Sequence, residues 1–368
     1  MPTKKAPLAP LALRKNPHLY EINTWAWLEQ LSARLGRPVS LEGVPDSEWI
    51  ALARLGFNAI WLMGLWQRSP ESQRIMAGDP GNFAGYSEAL PGWRPSDILG
   101  SPYAVAQYAP DLRIGTWESL DRVREKLRGL GMALFLDFVG NHTALDHPWT
   151  RQHPDFYILG SQQDFERNPS SFYKVDTKEG GHYLALAKDP YYPPWKDVAQ
   201  LNHFNPAMRA AQIADLQTIA QHCDGIRCDM AMLHLHDIFG NNWAQYLGAW
   251  KAPQKEFWTE VHDALPGLIL LAEAYWGTEP RLLDLGFLRH ASIPRLGDCL
   301  RELSRLRASP RRRVLRPRWG RTVSGVKKTR RVQAVGKDER PYHPNENDQK
   351  RQRARYPITF RHFHLRSI

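Results

Sequence analysis

The residues best suited to chemistry are an arginine and an aspartate two positions apart, Arg227 and Asp229. They lie in a short strand-like segment, and in a β-strand the side chains at positions i and i+2 point to the same face. The guanidinium group would lower the pKa of the neighbouring carboxyl group and keep it ionised. An ionised carboxylate held in one place is what a covalent attack on a sugar carbon requires. The pair therefore indicates a candidate nucleophile.

Two other segments share a form, an apolar run that ends in polar side chains. The first contains Asp137 and leads to Asn141 and His142, and the second leads to Glu273 and Trp276. Strands of a parallel barrel are apolar because both of their faces are buried, and the loops after their carboxyl ends build the active site. The segments therefore predict barrel strands that deliver their polar residues to one common site.

In this order the segments resemble three motifs of the α-amylase family of glycoside hydrolases. The family pattern is Asp-x-x-x-Asn-His, then Gly-x-Arg-x-Asp, then a Glu on the following strand. Asp137 to His142, Gly225 to Asp229, and Glu273 match it, about 90 and about 45 residues apart. The resemblance covers about residues 17–287. It implies an α/β fold of the (β/α)8 TIM-barrel type, incomplete at about five βα units, with an irregular subdomain inserted after strand 3.

The resemblance implies a role for each matched residue. Asp229 would be the nucleophile and Glu273 the general acid/base of a retaining mechanism, whose carboxyl groups stand about 5–5.5 Å apart. Glu273 must be protonated at rest, so we expect partial burial beside Tyr275 and Trp276 to raise its pKa. Asp137 would hydrogen-bond Arg227. The residues expected to contact the sugar are His142, Tyr103 and Trp276.

The resemblance leaves the metal and the exact reaction open. No cofactor is required by this chemistry, but Asn141 matches a position that ligates calcium in many relatives. Calcium takes six to eight oxygen ligands, and the sequence does not reveal the others. Met232 and Leu233 stand where many amylases carry Lys-His, which removes polar contacts beyond the cleavage point. A glycosidase acting on α-glucans is expected, with an α-glucan transglycosylase of the same family as the alternative.

Charge and composition divide the chain into two parts. The formal net charge is +11, but residues 288–368 hold 23 Lys and Arg against 6 Asp and Glu, whereas residues 1–287 carry more acidic than basic side chains. Thirteen of the fourteen tryptophans also precede residue 288. The first part has the composition of an aromatic-rich globular chain. The second predicts a disordered basic tail, because apolar residues are few and like charges repel.

The organisation predicted along the chain follows from these observations. It consists of a flexible leader at 1–16, barrel strands 1–3 at 17–142, the irregular insertion at 143–204, strands 4–5 and the approach to strand 6 at 205–287, and the tail at 288–368.

Periodicity and turn residues predict the local elements. We expect a strand with its outgoing loop at Leu19 to Trp27, a long structured loop at Ser69 to Asp111, and helices at Pro206 to Gln221 and Asn241 to Ala264.

The sequence after Phe287 departs from the family. Residues 288–293 can be encoded so that a shift of one base reads Tyr-Asp-Met-Arg-Leu-Tyr, which is the text expected near strand 6. We therefore hypothesise a frameshift at about residue 287. Strands 6–8 and a third family carboxylate would then be missing. A barrel with open edges misassembles, so we expect a poorly soluble chain with little activity.

Two other classes of function compete with catalysis. Basic groups such as Arg311-Arg312-Arg313 could contact nucleic-acid phosphates. They lack interleaved aromatic residues and a known module, so nucleic-acid binding is disfavoured. A non-catalytic glucan-binding protein would retain the sugar contacts without turnover.

The N-terminus and the cysteines favour a cytoplasmic location. Pro7 and Pro10 interrupt the apolar start, which is therefore unlike a secretory signal. Cys223, Cys228 and Cys299 suit neither a bridge nor a metal site. No apolar run approaches the length of a membrane span.

Overall fold

The computed structural model describes residues 11, 13–14, 17–177 and 180–288 of the 368-residue chain. The strands in these residues are β1 (Leu19–Asn23), β2 (Ala59–Met63), β3 (Trp66–Arg68), β4 (Val105–Pro110), β5 (Ala133–Phe138), β6 (His142–Ala144), β7 (Leu159–Gly160), β8 (Phe172–Thr177), β9 (Gly180–Ala185), β10 (Val198–Gln200), β11 (Gly225–Cys228) and β12 (Ile269–Ala272). The helices are α1 (Thr24–Leu35), α2 (Asp46–Arg54), α3 (Pro70–Gly78), α4 (Phe83–Ala89), α5 (Trp117–Gly129), α6 (Trp149–Gln152), α7 (Gln162–Arg167), α8 (Pro206–Ala220), α9 (His236–Trp243), α10 (Phe257–Ala264) and α11 (Glu279–Asp284).

One parallel sheet organises the molecule. Its strands follow the order β1-β2-β5-β11-β12, and every neighbouring pair is parallel. Helices connect successive strands, as parallel pairing requires. This is the strand arrangement of a (β/α)8 barrel, so the predicted fold class is confirmed. The described part of the chain holds five such strands.

The inward faces of these strands form a small apolar cluster. Trp61, Phe135 and Leu271 from three different strands are buried in it. Gly225 is required beside them, because a Cβ atom at this position would lie 2.4 Å from the ring of Phe135. The half-buried Leu11 and Leu13 also pack against the cluster. This short part of the predicted leader therefore contacts the barrel interior.

The opposite faces of the strands belong to the main hydrophobic core, together with the buried sides of α5, α8 and α10. Burying one Leu or Ile side chain contributes about 1.5–3 kcal/mol, so this core is the main source of stability. The strand residues in it include Ile60, Leu62, Leu134, Leu136, Ile226 and Leu270.

Helix α8 forms where a helix was predicted, and α5 carries helix signals of the same kind. In α5 the buried Leu120, Val123 and Leu127 recur every three or four residues and so share one face. A capping box between Thr116 and Ser119 satisfies the free N–H groups at its start. Helix α8 begins with Pro206 at its first position, and the Asn205 side chain accepts from the Ala207 N–H at 2.9 Å.

The segment 143–204, predicted as irregular, contains regular structure. Strands β7, β9 and β8 form a three-stranded antiparallel sheet, and β10 pairs antiparallel with β6. The segment also has a core that includes Phe156, Tyr157, Val175 and Leu184. The strands are short and interrupted by turns, which is why their period-2 pattern is difficult to recognise in the sequence.

Other local predictions need correction. Helix α1 begins at Thr24, directly after β1, because the Asn23 side chain accepts from the Ala26 N–H and caps the helix. The stretch predicted as a loop at 69–111 contains α3, α4 and β4. The helix predicted at 241–264 is replaced by two, α9 and α10. Between them the chain passes through Gly248, whose φ of +53° is incompatible with a continuous helix.

Some predictions fall outside the described residues. They concern the basic tail, the hypothesised frameshift near residue 287 and most of the leader. Gly85–Pro91 belongs to a second compact unit, of which only these residues are described. In the described parts of the chain, no helix combines the length and the hydrophobicity needed to cross a bilayer.

Candidate active site

The carboxyl ends of three adjacent strands carry the polar residues predicted to meet. Asp137 on β5 stands opposite Arg227 on β11 in the strand register. Asp229 and Glu273 directly follow β11 and β12. Their backbone N–H groups extend the ladder, since Asp229 donates to the Phe138 carbonyl at 2.9 Å and Glu273 to the Cys228 carbonyl at 3.0 Å. Regular pairing of the sheet therefore places all four side chains at one end.

Arg227 is the centre of this arrangement. Its Nη1 donates to Asp229 Oδ1 at 2.8 Å and to Asp137 Oδ1 at 3.3 Å, and its Nη2 donates to Glu273 Oε2 at 2.5 Å. The guanidinium also faces the aromatic rings of Trp61 and Tyr103, at 4.8 and 5.4 Å from their centroids. Three carboxyl groups thus share one buried cation.

The two proposed catalytic carboxyl groups share one guanidinium, because Arg227 Nη1 donates to Asp229 and its Nη2 donates to Glu273. A retaining glycosidase holds these groups about 5–5.5 Å apart when a glycosidic bond lies between them. The shared cation therefore holds both groups at the same end of the sheet.

Two expected pKa shifts are wrong in direction. Burial raises the pKa of Asp229 to about 8, and the charges of Glu273 and Asp137 add to this effect while Arg227 opposes it. Burial also raises the pKa of Glu273, but Arg227 outweighs it together with donors from Tyr275 and the Met230 N–H, so this pKa lies below its ordinary value. The two groups titrate as one coupled pair, in which the buried Asp229 is the less acidic member and Glu273 is favoured as the anion by Arg227.

Asp137 is buried and tied to the backbone around it. Its Oδ2 accepts from the Gly64 N–H at 3.3 Å, and its carbonyl accepts from the Trp66 indole N–H at 2.9 Å. Burial raises its pKa, and the charge of Arg227 opposes that shift. Asp137 therefore contacts Arg227, as the sequence predicts.

His142 is buried beside the site and is neutral at physiological pH. Burial lowers its pKa to about 4, opposed by a hydrogen bond to the Tyr103 backbone. Its Nδ1 lies 3.2 Å from Asn141 Nδ2. The Asn141 amide is therefore the partner of one ring nitrogen.

A family model described as the α-amylase catalytic domain matches residues 41–278. This match covers more than half of the chain. The chain belongs to the α-amylase family.

Similar proteins in this family are named for different activities. An α-amylase 3 of Dictyoglomus thermophilum is 28% identical over 180 residues, 46% of this chain and 32% of its own length. A trehalose synthase of Pimelobacter sp. is 28% identical over 231 residues, 55% of this chain and 39% of its own. The chain thus spans between 32% and 39% of these two relatives. A maltogenic α-amylase structure from Thermotoga neapolitana has a TM-score of 0.43 at 20% identity, covering 73% of this chain and 48% of its own.

Trp276 belongs to a group of exposed aromatic rings at the mouth of this α-amylase-type site. Its ring meets that of Tyr191 edge to face at 4.9 Å and lies 6.2 Å from that of Tyr275. Its backbone is in the left-handed region, with φ of +62°, as is Met230 with φ of +42°. Such strain in non-glycine residues is typical of functional sites; here Met230 directly follows Asp229, and Trp276 lies three residues after Glu273.

The surroundings of Asn141 do not fit a calcium ion. Asn141 Oδ1 accepts from the Gln200 amide at 3.0 Å, so a donor stands where a cation would have to lie. Calcium needs six to eight oxygen ligands, usually including carboxylates. In the described ranges, no three His, Cys, Asp or Glu side chains gather as a possible metal site.

Two residues of the site were not among the sequence-based candidates. Glu21 on β1 is half-buried, and its pKa is raised by burial and by the charges of Asp137 and Glu273. The signal was an acidic residue within an otherwise apolar strand. Tyr275 donates its hydroxyl to Glu273 Oε1 at 2.6 Å. It was recognised as a neighbour that buries Glu273, but no sequence pattern shows that it donates.

Proposed function

We propose that the chain is an α-amylase-type retaining glycosidase domain that acts on α-glucans. One observation carries the proposal: Asp229 and Glu273 end adjacent parallel strands and share the cation Arg227. Two carboxyl groups on one guanidinium fit the retaining mechanism, whose groups stand about 5–5.5 Å apart, better than the inverting one, whose groups stand about 6.5–9.5 Å apart to admit a water.

In the first step Asp229 attacks the anomeric carbon of the glucosyl unit. The bond from that carbon to the glycosidic oxygen breaks, and the oxygen takes the proton of Glu273 and leaves as an alcohol. The product is a glycosyl ester on Asp229. Arg227 then faces the ester and the newly ionised Glu273, where its charge stabilises the carboxylate.

In the second step Glu273 accepts a proton from a water molecule, and the resulting nucleophile attacks the anomeric carbon. The ester bond breaks and restores the Asp229 carboxylate. A sugar hydroxyl in place of water would give transglycosylation. This alternative is supported by relatives named trehalose synthases, which include proteins of Pimelobacter and Mycobacterium tuberculosis.

The mechanism needs one proton on the pair, carried by Glu273. In the sugar-free geometry burial raises the pKa of Asp229, whereas Arg227 lowers that of Glu273. We propose that a sugar ring entering between the carboxyl groups separates Glu273 from Arg227. Without its cation Glu273 binds a proton more tightly, and Asp229 retains the guanidinium as the partner of its ionised form.

Two finer points of the proposal rest on the sequence. Activity of the 368-residue chain would be impaired by the departure from the family after residue 287. A cytoplasmic location rests on the N-terminal sequence and the cysteines. A glucan-binding protein without turnover is the competing function, and the strained, charge-dense site favours catalysis over it.

Trapping the covalent intermediate tests the proposal. We would incubate the 368-residue chain and a frame-repaired version with a 5-fluoroglucosyl fluoride and locate the label by peptide mass spectrometry. We expect one fluoroglucosyl group on Asp229, none in Asp229→Asn, and faster labelling of the repaired protein. Label on another residue, or none on either protein while maltooligosaccharides still bind, would favour the glucan-binding alternative.

A further inference from the structure

The side chain of Gln200 is enclosed where the inserted segment joins the barrel. It ends β10, stands opposite His142 in the pairing of β10 with β6, and is fully buried. Its Nε2 lies 3.0 Å from the Asn141 carbonyl oxygen, 3.0 Å from Asn141 Oδ1 and 3.1 Å from the Leu201 carbonyl oxygen. Three oxygens therefore converge on one nitrogen.

The chemistry of these partners determines how the amide is oriented. Both carbonyl oxygens can only accept, so the atom that faces them must be the NH2 group rather than the oxygen. The Gln200 oxygen faces Asn141 Nδ2 at 3.4 Å, so the two amides pair with each other. Two N–H hydrogens serve three acceptors. The oxygens are thus more numerous than an amide needs, and such a cluster is also suited to a cation.

We propose that the Gln200 amide takes the place of a metal ion and ties the insertion to the barrel without one. The nitrogen occupies the centre of the oxygen cluster, so a cation and the Gln200 side chain exclude each other. The proposal concerns only how the two segments are joined, and it is independent of the proposed reaction.

Replacing the Gln200 amide by a carboxylate tests the proposal. In Gln200→Glu an anionic oxygen faces three other oxygens, which is unfavourable until a cation enters between them. Gln200→Asp is shorter and leaves more room for the ion. Gln212→Glu is the matched control, because Gln212 is also buried but its Nε2 faces a single carbonyl, that of Gly140.

Thermal unfolding of the full chain in EDTA and in excess Ca²⁺ gives the first readout. We expect the same Tm for the unaltered chain in both buffers. We expect Gln200→Glu or Gln200→Asp to unfold at a lower temperature in EDTA and to gain about 5–10 °C when Ca²⁺ is about 100-fold above its Kd. The Tm of Gln212→Glu should be lowered by the same amount in EDTA and in Ca²⁺.

Terbium luminescence gives a second readout that does not depend on stability. The ring of Trp195 lies 5.3 Å from that of His142, close enough to sensitise an ion bound beside Asn141. We expect Ca²⁺-displaceable emission in the Gln200 variants and none in the unaltered chain. Emission from the unaltered chain that Asn141→Ala removes would overturn the proposal. Folded Gln200 variants whose Tm does not respond to Ca²⁺ and that show no terbium emission would also overturn it. If neither variant folds, the terbium emission of the unaltered chain alone tests the proposal.

Discussion

The two ends of strand β11 carry ion clusters of opposite composition. At its start, the Asp224 cluster consists of one carboxylate and two arginines, Arg124 and Arg128. At its end, the Arg227 cluster consists of one arginine and three carboxyl groups, those of Asp137, Asp229 and Glu273.

The Asp224 cluster has the features of a structural site. Asp224 Oδ1 accepts from Arg124 and Arg128 at 2.8 to 3.1 Å, and its Oδ2 accepts from the Leu134 N–H at 2.9 Å. Every oxygen of this buried carboxylate is satisfied. It joins α5 to two neighbouring strands, at the barrel face where polar residues usually serve stability.

The Arg227 cluster has an excess of negative charge that its single cation does not balance. Burial raises the pKa values of Asp229 and Asp137, with the charges of Glu273 and Asp137 adding to the shift of Asp229, while Arg227 lowers the pKa of Glu273. Unbalanced charge costs stability but supplies the proton donors and acceptors of catalysis. The comparison shows that burial alone does not distinguish the two sites. The ratio of carboxyl groups to arginines distinguishes them.

The largest expected effect is on turnover. In a version of the protein in which the hypothesised frameshift near residue 287 is reversed, Asp229→Asn removes the proposed nucleophile and should lower kcat on maltooligosaccharides by at least ~10³-fold. Asp224→Asn should leave the kcat of the folded fraction within a few-fold of the starting value. An inactive but fully folded Asp224→Asn protein would contradict the division into a catalytic and a structural cluster.

The second effect is on stability, and it reverses the ranking of the two residues. Asp224→Asn leaves two arginines without a counter-charge in a buried setting and should cost about 3–5 kcal/mol of unfolding free energy. Urea denaturation measures this. Asp46→Asn is the control, because its ion pair with Lys126 is exposed and should contribute less than about 1 kcal/mol.

The third effect is a gain in stability at high pH. The folded pKa of Asp229, about 8, lies above its ordinary value near 3.8. The folded chain therefore binds the extra proton between these values, and stability falls as pH rises through that range. Asn lacks this dependence. Asp229→Asn should be more stable than the original by about 1–2 kcal/mol above pH ~8, and the gain should vanish near pH ~4.

Denaturation curves across pH test this third expectation. Asp237→Asn is a suitable control, since Asp237 is paired with Arg281 on the surface and its pKa is lowered rather than raised. A stability difference between Asp229→Asn and the original that stays constant from acid to alkaline pH would show that the charge balance of the cluster is not its cause.

The smallest effect concerns Tyr275. Its hydroxyl donates to Glu273 and helps to lower the pKa of that group. Tyr275→Phe should raise the Glu273 pKa, keep the acid form to higher pH, and move the alkaline limb of the kcat/KM profile upward with only a modest change at the optimum. The profile of the frame-repaired protein is the measurement. An alkaline limb that moves downward would show that the hydroxyl does not act on the acid form.

The sequence by itself predicted that four polar residues meet at one end of the sheet. Apolar segments that end in Asp137, Arg227, Asp229 and Glu273 indicate parallel strands, and parallel strands place their carboxyl ends at the same edge. The capped helices α5 and α8 were likewise recognisable, because their signals lie within a few residues of one another. The strands of the insertion were not, because their partners are distant in the sequence.

Only the tertiary structure decided how these groups share charge and protons. Which carboxyl group holds the proton depends on ångström-scale distances between β5, β11 and β12, and these reversed the expected pKa shifts of Asp229 and Glu273. In the same way, Gln200 is 59 residues from Asn141 along the chain, and only folding brings the Gln200 amide to Asn141 Oδ1. Residue types and order follow from local patterns. Electrostatics and hydrogen bonding depend on separations in space that local patterns do not contain.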